Sequence, residues 1–225
     1  MTEPRFAYPM FLDLAGWPAL VVGGGAVALR KARALADAGA RVRVVAPAHV
    51  AGFAEDGRFE CVAARYDPRH LAGARVVVAA TDDEAVNARV AADARAAGAL
   101  VNVVDRPALC DFIVPAQVRR GDLLVAISTG GASPMLARRL RERLEREFGP
   151  EYETYLAVMR EVRAEVLARD LAPEASRRVF ERLAEDDVLA AARSGPDALR
   201  RAAADAVAAA LAAGGAGASG GGPTG

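Results

Sequence analysis

Apolar residues in the first hundred positions come in short runs separated by longer mixed segments. After the turn signal Gly16-Trp17-Pro18, the run Ala19-Leu20-Val21-Val22 ends directly in Gly23-Gly24-Gly25, the pattern of a buried strand feeding a glycine turn. From Ala26 to Ala38 the residues are helix formers, with Ala28, Ala32, Leu35 and Ala36 on one face and Arg30, Lys31, Arg33 and Asp37 mostly off it; Gly39 supplies the stop. Arg41 to Ala46 reads as a second strand, closed by Pro47, and Phe59 to Ala63 as a short third. Arg75 to Ala80, a fourth, leads through Thr81-Asp82-Asp83 into a helix from Glu84 to Ala97 ended by Gly98, and Leu100 to Val104 is a fifth strand finishing at Asp105. Strands alternating with helices predict a doubly wound α/β unit, a parallel sheet with right-handed crossovers.

Beyond Asp105 the alternation stops. Phe112 to Val118 and Leu123 to Ser128 are strand-like and joined by Arg119-Arg120-Gly121-Asp122, a hairpin signal. Ser128-Thr129-Gly130-Gly131-Ala132-Ser133-Pro134 opens a charged helix from Met135 to Phe148, with Ser133 at the N-cap and Pro134 at the first helical position. Glu151 to Ala213 reads as helical with breaks at Pro173 and Ser194-Gly195-Pro196, and Gly214 to Gly225 as a glycine-rich disordered tail. The expected division is 1–110 for a cofactor domain, 111–150 for a small α+β dimerisation and substrate region, 151–213 for a helical region and 214–225 for the tail.

Charge changes the picture by exclusion. The 225 residues carry 29 Lys and Arg against 29 Asp and Glu, so no basic footprint for nucleic acid or an anionic membrane is present. Met1 to Met10 has no signal-peptide core, and no stretch approaches the ~20 apolar residues of a membrane span; the expectation is a soluble cytoplasmic protein. Cys61 and Cys110 are isolated, which speaks for two buried thiols rather than a zinc site, a redox dithiol or an iron–sulfur cluster, and no resident metal is expected. His49 and His70 fall in loops and read as surface histidines.

Gly23-Gly24-Gly25-Ala26-Val27-Ala28 fits G-x-G-x-x-A between strand and helix. In that context Gly23 allows the tight turn, Gly25 admits a pyrophosphate to the backbone, Ala28 lets the helix approach the sheet, and the free amides at Ala26 and Val27 face the phosphates. The alternative is a glycine turn used only for packing. The second strand ends Val45-Ala46-Pro47, with no carboxylate for a ribose, so ribose contacts at Ala46 and Pro47 fall to backbone groups and the ribose rule does not separate NAD from NADP. Thr81 and Asp82 end the fourth strand on the same edge and can line a cofactor cleft; Asp82 or Asp83 can equally be a plain helix cap. Asp105 stands where ligands of open α/β sheets bind and can serve as a general base, or simply start the turn toward Pro107. Asn102 lies on the opposite face from Val101 and Val103 and reads as a hydrogen-bonding residue rather than a catalyst. The Ser128 to Pro134 loop is a second candidate anion site, with Ser128, Thr129, Gly130, Gly131 and Ser133 suited to substrate carboxylates; without a P-loop Lys it does not suit a nucleoside triphosphate. Arg138, Arg139 and Arg141 are interleaved with Glu142 and Glu145, the pattern of a solvated helix face.

In order along the chain, Val21 to Ala28 with Arg30-Lys31, Ala79-Ala80-Thr81-Asp82-Asp83, Asn102-Val103-Val104-Asp105, Asp111-Phe112-Ile113-Val114-Pro115-Ala116 and Ser128 to Pro134 resemble the precorrin-2 dehydrogenase family, which includes the N-terminal module of sirohaem synthase. The resemblance runs from about Tyr8 to Phe148. It implies a Rossmann-type domain, NAD-dependent oxidation of precorrin-2 to sirohydrochlorin on the route to sirohaem or cobalamin, and in some members insertion of Fe²⁺ or Co²⁺ into that tetrapyrrole. It places the family's key aspartate on Asp105, as proton acceptor and transient metal contact, puts Asn102 beside the substrate, and implies a homodimer formed through the central region. At this length no room remains for the methyltransferase module of some relatives, so a separate enzyme is expected to supply precorrin-2. A non-catalytic NAD-sensing module explains the glycine turn equally well, but it leaves Asp105 and the Ser128 to Pro134 loop without a task.

Overall fold

In the computed structural model, which describes residues 8–215, the chain forms two compact units dividing between Val114 and Pro115. The first is built on five parallel strands, β1 (Pro18–Val22), β2 (Arg41–Ala46), β3 (Glu60–Ala63), β4 (Val76–Ala79) and β5 (Leu100–Val103), in the order β3-β2-β1-β4-β5. Helices α1 (Ala26–Asp37), α2 (Gly52–Asp56) and α3 (Glu84–Ala96) make the connections, with a short 3-10 turn at Pro68–Leu71 between β3 and β4. Alternate strand residues feed two cores. Leu20, Val22, Val77, Ala79, Val101 and Val103 pack with Val90, Ala91 and Ala94 of α3. Ala19, Val21, Val42, Val44, Val76 and Val78 pack with Ala28 and Ala32 of α1 and Phe53 of α2. Strands buried on both faces explain the unbroken apolar runs of the sequence.

Two departures from the sequence reading share a cause. The strand expected from Phe112 begins only at Ala116, because the preceding residues are bound to the sheet edge. Asp111 N donates to Val101 O (2.8 Å), Asp111 Oδ2 accepts from Val101 N (3.0 Å) and the Cys110 thiol accepts from Val103 N (3.1 Å). The outward amides of β5 are thereby satisfied without another strand, and an exposed edge is closed. At the other edge, Cys61 on β3 is exposed, correcting the expectation of two buried thiols: β3 is outermost, with one neighbouring strand. Neither histidine is fully at the surface. His70 Nδ1 accepts from Asp67 N in a capping box, and His49 Nε2 is buried with no hydrogen-bond partner while its ring packs edge-on to Phe53.

The second unit opens with the antiparallel hairpin of β6 (Ala116–Arg120) and β7 (Leu123–Ile127), turned through Gly121 at φ 57°. Helix α4 (Pro134–Glu147) follows, then α5 (Glu151–Leu167), α6 (Pro173–Leu183), α7 (Asp186–Ala191) and α8 (Pro196–Gly215). Val158, Val179, Leu183, Val188, Leu199 and Ala203 form the common core of α5 to α8. Helicity also breaks at Ala184–Glu185, where no Pro or Gly announced it. The tail expected over 214–225 falls, from residue 216 on, outside the described residues.

Candidate active site

The site grows from the carboxyl ends of the sheet. Strand β1 lies between β2 and β4; the chain leaves β1 toward β2 and later crosses to β4, making the gap beyond β1 and β4 the topological switch point where open α/β sheets bind ligands. The glycine turn fills that gap. Gly23 has φ 130° and donates to Val45 O at 3.0 Å; a Cβ there would strike the carbonyl of Ala80 at the end of β4. At Gly24 a Cβ would strike the Ala48 carbonyl, and Val50 N reaches Gly24 O at 2.9 Å. Gly25 differs: nothing lies within 4 Å of an added Cβ. It is the N-cap of α1, with no side-chain cap bond and no acid in the first turn. The first intrahelical bond is Leu29 N to Gly25 O (3.0 Å), which leaves the amides of Ala26, Val27 and Ala28 ahead of it at the positive end of the helix dipole. An open, uncapped, glycine-lined helix start fits a pyrophosphate.

The flanks of this turn are set by local chemistry. Beyond β2, Ala46 is buried while Pro47 and Ala48 are exposed, and residues 46–51 hold neither an acid nor a Lys or Arg. Helix α2, which sequence periodicity missed because it is one turn long, carries Asp56, only 7% exposed and paired with Arg33 of α1 (2.8 Å) and Arg58. The Arg58 and Arg33 hydrogen bonds push the Asp56 carboxyl down to about 2. With a folded value below the unfolded ~3.9, its stabilisation is complete above about pH 4 and lost as the pH falls toward 2. Asp56→Asn should therefore lower the melting temperature at about pH 6, and the gap from the parent protein should close in melts by circular dichroism near pH 2; a pH-independent gap would contradict the linkage.

At the end of β4, Thr81 and Asp82 have different surroundings. Thr81 is clamped by the buried Asn87 of α3: Thr81 Oγ1 lies 2.8 Å from Asn87 Oδ1, Thr81 N donates to that oxygen (3.2 Å), and Asn87 Nδ2 donates to Thr81 O (2.8 Å). Asp83 is the α3 cap, accepting from Ala85 N and Val86 N. Asp82 is exposed and takes no part in that cap. Asn87 was invisible in the sequence because a polar residue inside a helical pattern reads as solvated.

Asp105 follows β5 with φ 57°, one of two non-glycine residues with positive φ among the described residues. Asp tolerates this left-handed backbone better than most residues, yet it remains a strained choice. Arg106 N closes the turn on Val103 O (3.2 Å), and the Cys110 thiol lies 3.2 Å from Val103 O and 3.3 Å from Arg106 O. Asp105 is exposed, and its carboxylate makes no hydrogen bond or close ion pair among the described residues. Arg106 instead pairs with Glu84. Asn102 is buried and donates through Nδ2 to Phe112 O at 3.0 Å, anchoring the edge segment.

The Ser128 to Pro134 loop, within the second unit, spends its hydroxyls on itself. Ser133 Oγ accepts from Leu136 N (3.2 Å), Thr129 Oγ1 accepts from Ser133 N (3.2 Å) and Ser128 Oγ accepts from Gly130 N (3.1 Å), while Gly130 and Gly131 take φ 62° and 85°. Arg138 pairs with Glu142 and Arg141 with Glu145, one turn apart, as the interleaved charges suggested. A surface cleft of about 770 Å³ in the first unit is lined by Trp17, Arg75 and Leu100; these lie at the amino-terminal starts of strands, so it is away from the carboxyl-edge chemistry. Among the described residues no group of three or more His, Cys, Asp or Glu side chains is placed to hold a metal, and no helix is long and apolar enough to cross a membrane.

Comparison with known proteins places this geometry. A model described as putative NAD(P)-binding matches residues 10–116, and one described as sirohaem biosynthesis protein, central, matches residues 120–147. The chain belongs to the sirohaem synthase family. It is 47% identical over 173 residues to the sirohaem synthase of Pseudomonas putida (strain W619), covering 76% of this chain and 37% of that one. To that of Chromobacterium violaceum it is 44% identical over 198 residues, covering 87% and 42%. The chain thus spans about two fifths of the length of these sirohaem synthases. Among solved structures, SirC, a precorrin-2 dehydrogenase, matches with a TM-score of 0.74 at 29% identity, over 88% of this chain and 98% of that one. The Rossmann-like parallel sheet followed by helices is the fold of that protein, and the first unit is NAD(P)-binding.

Proposed function

We propose that the chain oxidises precorrin-2 to sirohydrochlorin with NAD⁺. The observation that carries this reading is the Asp105 carboxylate, without a hydrogen bond or close ion pair among the described residues and held in a strained turn on the sheet edge that also presents the open start of α1. The SirC likeness supports the choice of substrate. Gly23, Gly24 and Gly25 with the amides of Ala26 and Val27 hold the pyrophosphate, backbone groups at Ala46 and Pro47 meet the ribose, and the Thr81–Asp82 turn flanks the other half. NAD⁺ is taken as the cofactor from the family resemblance, since residues 46–51 offer neither a carboxylate to a ribose nor a Lys or Arg to a 2′-phosphate. When bound, the nicotinamide supplies the hydride acceptor. Two hydrogens leave the substrate, one as hydride and one as a proton, and Asp105 takes the proton as general base. Asn102 fixes the edge beside the tetrapyrrole, and the Ser128, Thr129, Gly130, Gly131 and Ser133 loop serves its carboxylates.

A homodimer through residues 111–150 completes the reading. Leu123, Leu124, Val125 and Ile127 of β7 are only partly buried or exposed on the hairpin, as are Met135 (60% exposed) and Leu136 (48%) at the start of α4, apolar surface that a second copy would cover. The deciding experiment incubates the protein anaerobically with enzymatically made precorrin-2 and NAD⁺. NADH and sirohydrochlorin should appear together, far faster than by spontaneous oxidation, from a species that sediments as a dimer. No acceleration sinks the dehydrogenase, and a monomer at micromolar concentration sinks the dimer. Adding Fe²⁺ or Co²⁺ to sirohydrochlorin with and without the protein tests insertion of these metals as substrates.

A further inference from the structure

On α1, Ala28 and Ala32 are fully buried against the sheet, and Lys31 stands beside them on the flank of that face, half-buried. The charged groups it feels, apart from Arg30 on its own helix, are Asp105 and Cys110. Both belong to the turn after β5, whose flanking residues Val104 and Phe112 pack in the same core as Ala28 and Ala32, so the flank of α1 that carries Lys31 lies near this turn and within electrostatic reach of the candidate base. Burial first, then Arg30, holds this ammonium below the usual lysine range, while Asp105 and Cys110 oppose the shift.

Of the other cations of this region, Arg30 is exposed to solvent and the rest are committed. Arg106 pairs with Glu84, Arg95 with Asp111 at 2.8 Å, and Arg33 with Asp56 at 2.8 Å. Lys31 makes no hydrogen bond or close ion pair among the described residues. A cation that has lost part of its water and has Asp105 only at longer range gains from a ligand anion placed in contact with it. The pyrophosphate is provided for by the amides at the start of α1, and Lys31 lies more than a turn further along that helix.

We propose that Lys31 is a substrate-binding residue whose ammonium takes a carboxylate of the tetrapyrrole next to Asp105. The inference rests on the dehydrogenase reading and sharpens it: a polycarboxylate gripped at Lys31 is pinned with one ring edge at the proton acceptor. Positioning of this kind sets the reacting geometry, and it does so with a point charge that accepts more than one carboxylate orientation.

The test compares the parent protein with Lys31→Gln, Lys31→Met and Lys31→Arg, each checked for an unchanged melt. Equilibrium titration uses a porphyrin octacarboxylate as probe and, separately, NAD⁺. Loss of a charge-assisted contact should weaken porphyrin binding about tenfold in the Gln and Met variants and make it less sensitive to salt. Arg should restore most of the affinity, and NAD⁺ binding should stay the same. In turnover, KM for precorrin-2 should rise with a much smaller change in kcat. Porphyrin affinity unaffected by Lys31→Gln and Lys31→Met overturns the proposal, as does an equal loss of NAD⁺ affinity, which would make Lys31 a cofactor residue. If the parent protein binds the porphyrin through Lys31 yet does not oxidise precorrin-2, the anion site stands and the dehydrogenase reading falls. Turnover of precorrin-2 with a KM indifferent to Lys31 gives the reverse.

Discussion

Asp105→Asn should bind NAD⁺ like the parent protein and lose at least about 100-fold in kcat for precorrin-2 oxidation, the lower end of what a positioned base contributes. The choice of Asn matters. Asp105 sits at φ 57°, and Asn tolerates the left-handed backbone comparably well, so the turn keeps its shape while the proton acceptor is removed. Because the Asp105 carboxylate has no hydrogen bond or close ion pair to break among the described residues, the amide leaves none of them unsatisfied, and the melting temperature should barely move. Alanine would confuse the two effects by adding backbone strain. Steady-state rates alongside NAD⁺ titration decide the matter; kcat within about threefold of the parent value would remove Asp105 from catalysis, since a base worth having contributes far more.

Gly24→Ala and Gly25→Ala should separate the structural and ligand-binding roles of the glycine turn. At position 24 the new Cβ meets the Ala48 carbonyl and approaches the Ala46 Cβ at 2.9 Å. Backbone on one side and a buried strand end on the other leave little freedom to yield, so overpacking should cost about 1–3 kcal/mol and lower the melting temperature by several degrees. At position 25 there is nothing within 4 Å and φ is an ordinary −84°, so the fold should be indifferent. There the methyl group projects at the helix start, where the pyrophosphate belongs, and NAD⁺ affinity should fall at least about tenfold, as for any group pushed off its hydrogen bonds. Calorimetric titration and thermal melts on both variants check this together. Unchanged NAD⁺ affinity in Gly25→Ala would mean that the turn serves packing alone.

The glycine turn was legible in the sequence because its chemistry is local: a strand, three glycines and a helix are contiguous in the chain. The edge segment was misread for the opposite reason. Phe112 to Val118 has the composition of a strand, but Asp111 and Cys110 tie the residues before it to the edge of β5, and a chain bound there cannot begin the hairpin. Likewise Asp82 and Asp83 were indistinguishable as caps until the α3 start showed Asp83 receiving both amides. The expected histidine and cysteine environments failed at His49 and Cys61, where strand order and the placement of Phe53 decide exposure.

The sequence by itself determined the alternation of strands and helices, the order of the sheet's connections, the glycine turn and the presence of an acid at the end of the fifth strand. All of these depend on periodicity and on residues next to one another in the chain. Only the tertiary structure decided which charges are already taken. Asp56, Asp111, Glu84, Arg33, Arg95 and Arg106 find partners 16 to 23 residues away by the packing of elements, whereas Asp105 and Lys31 are brought within electrostatic reach of one another from distant parts of the unit, with no hydrogen bond or close ion pair among the described residues. Ion pairing depends on distances of a few ångströms between groups remote in sequence, and those distances exist only once the sheet has formed.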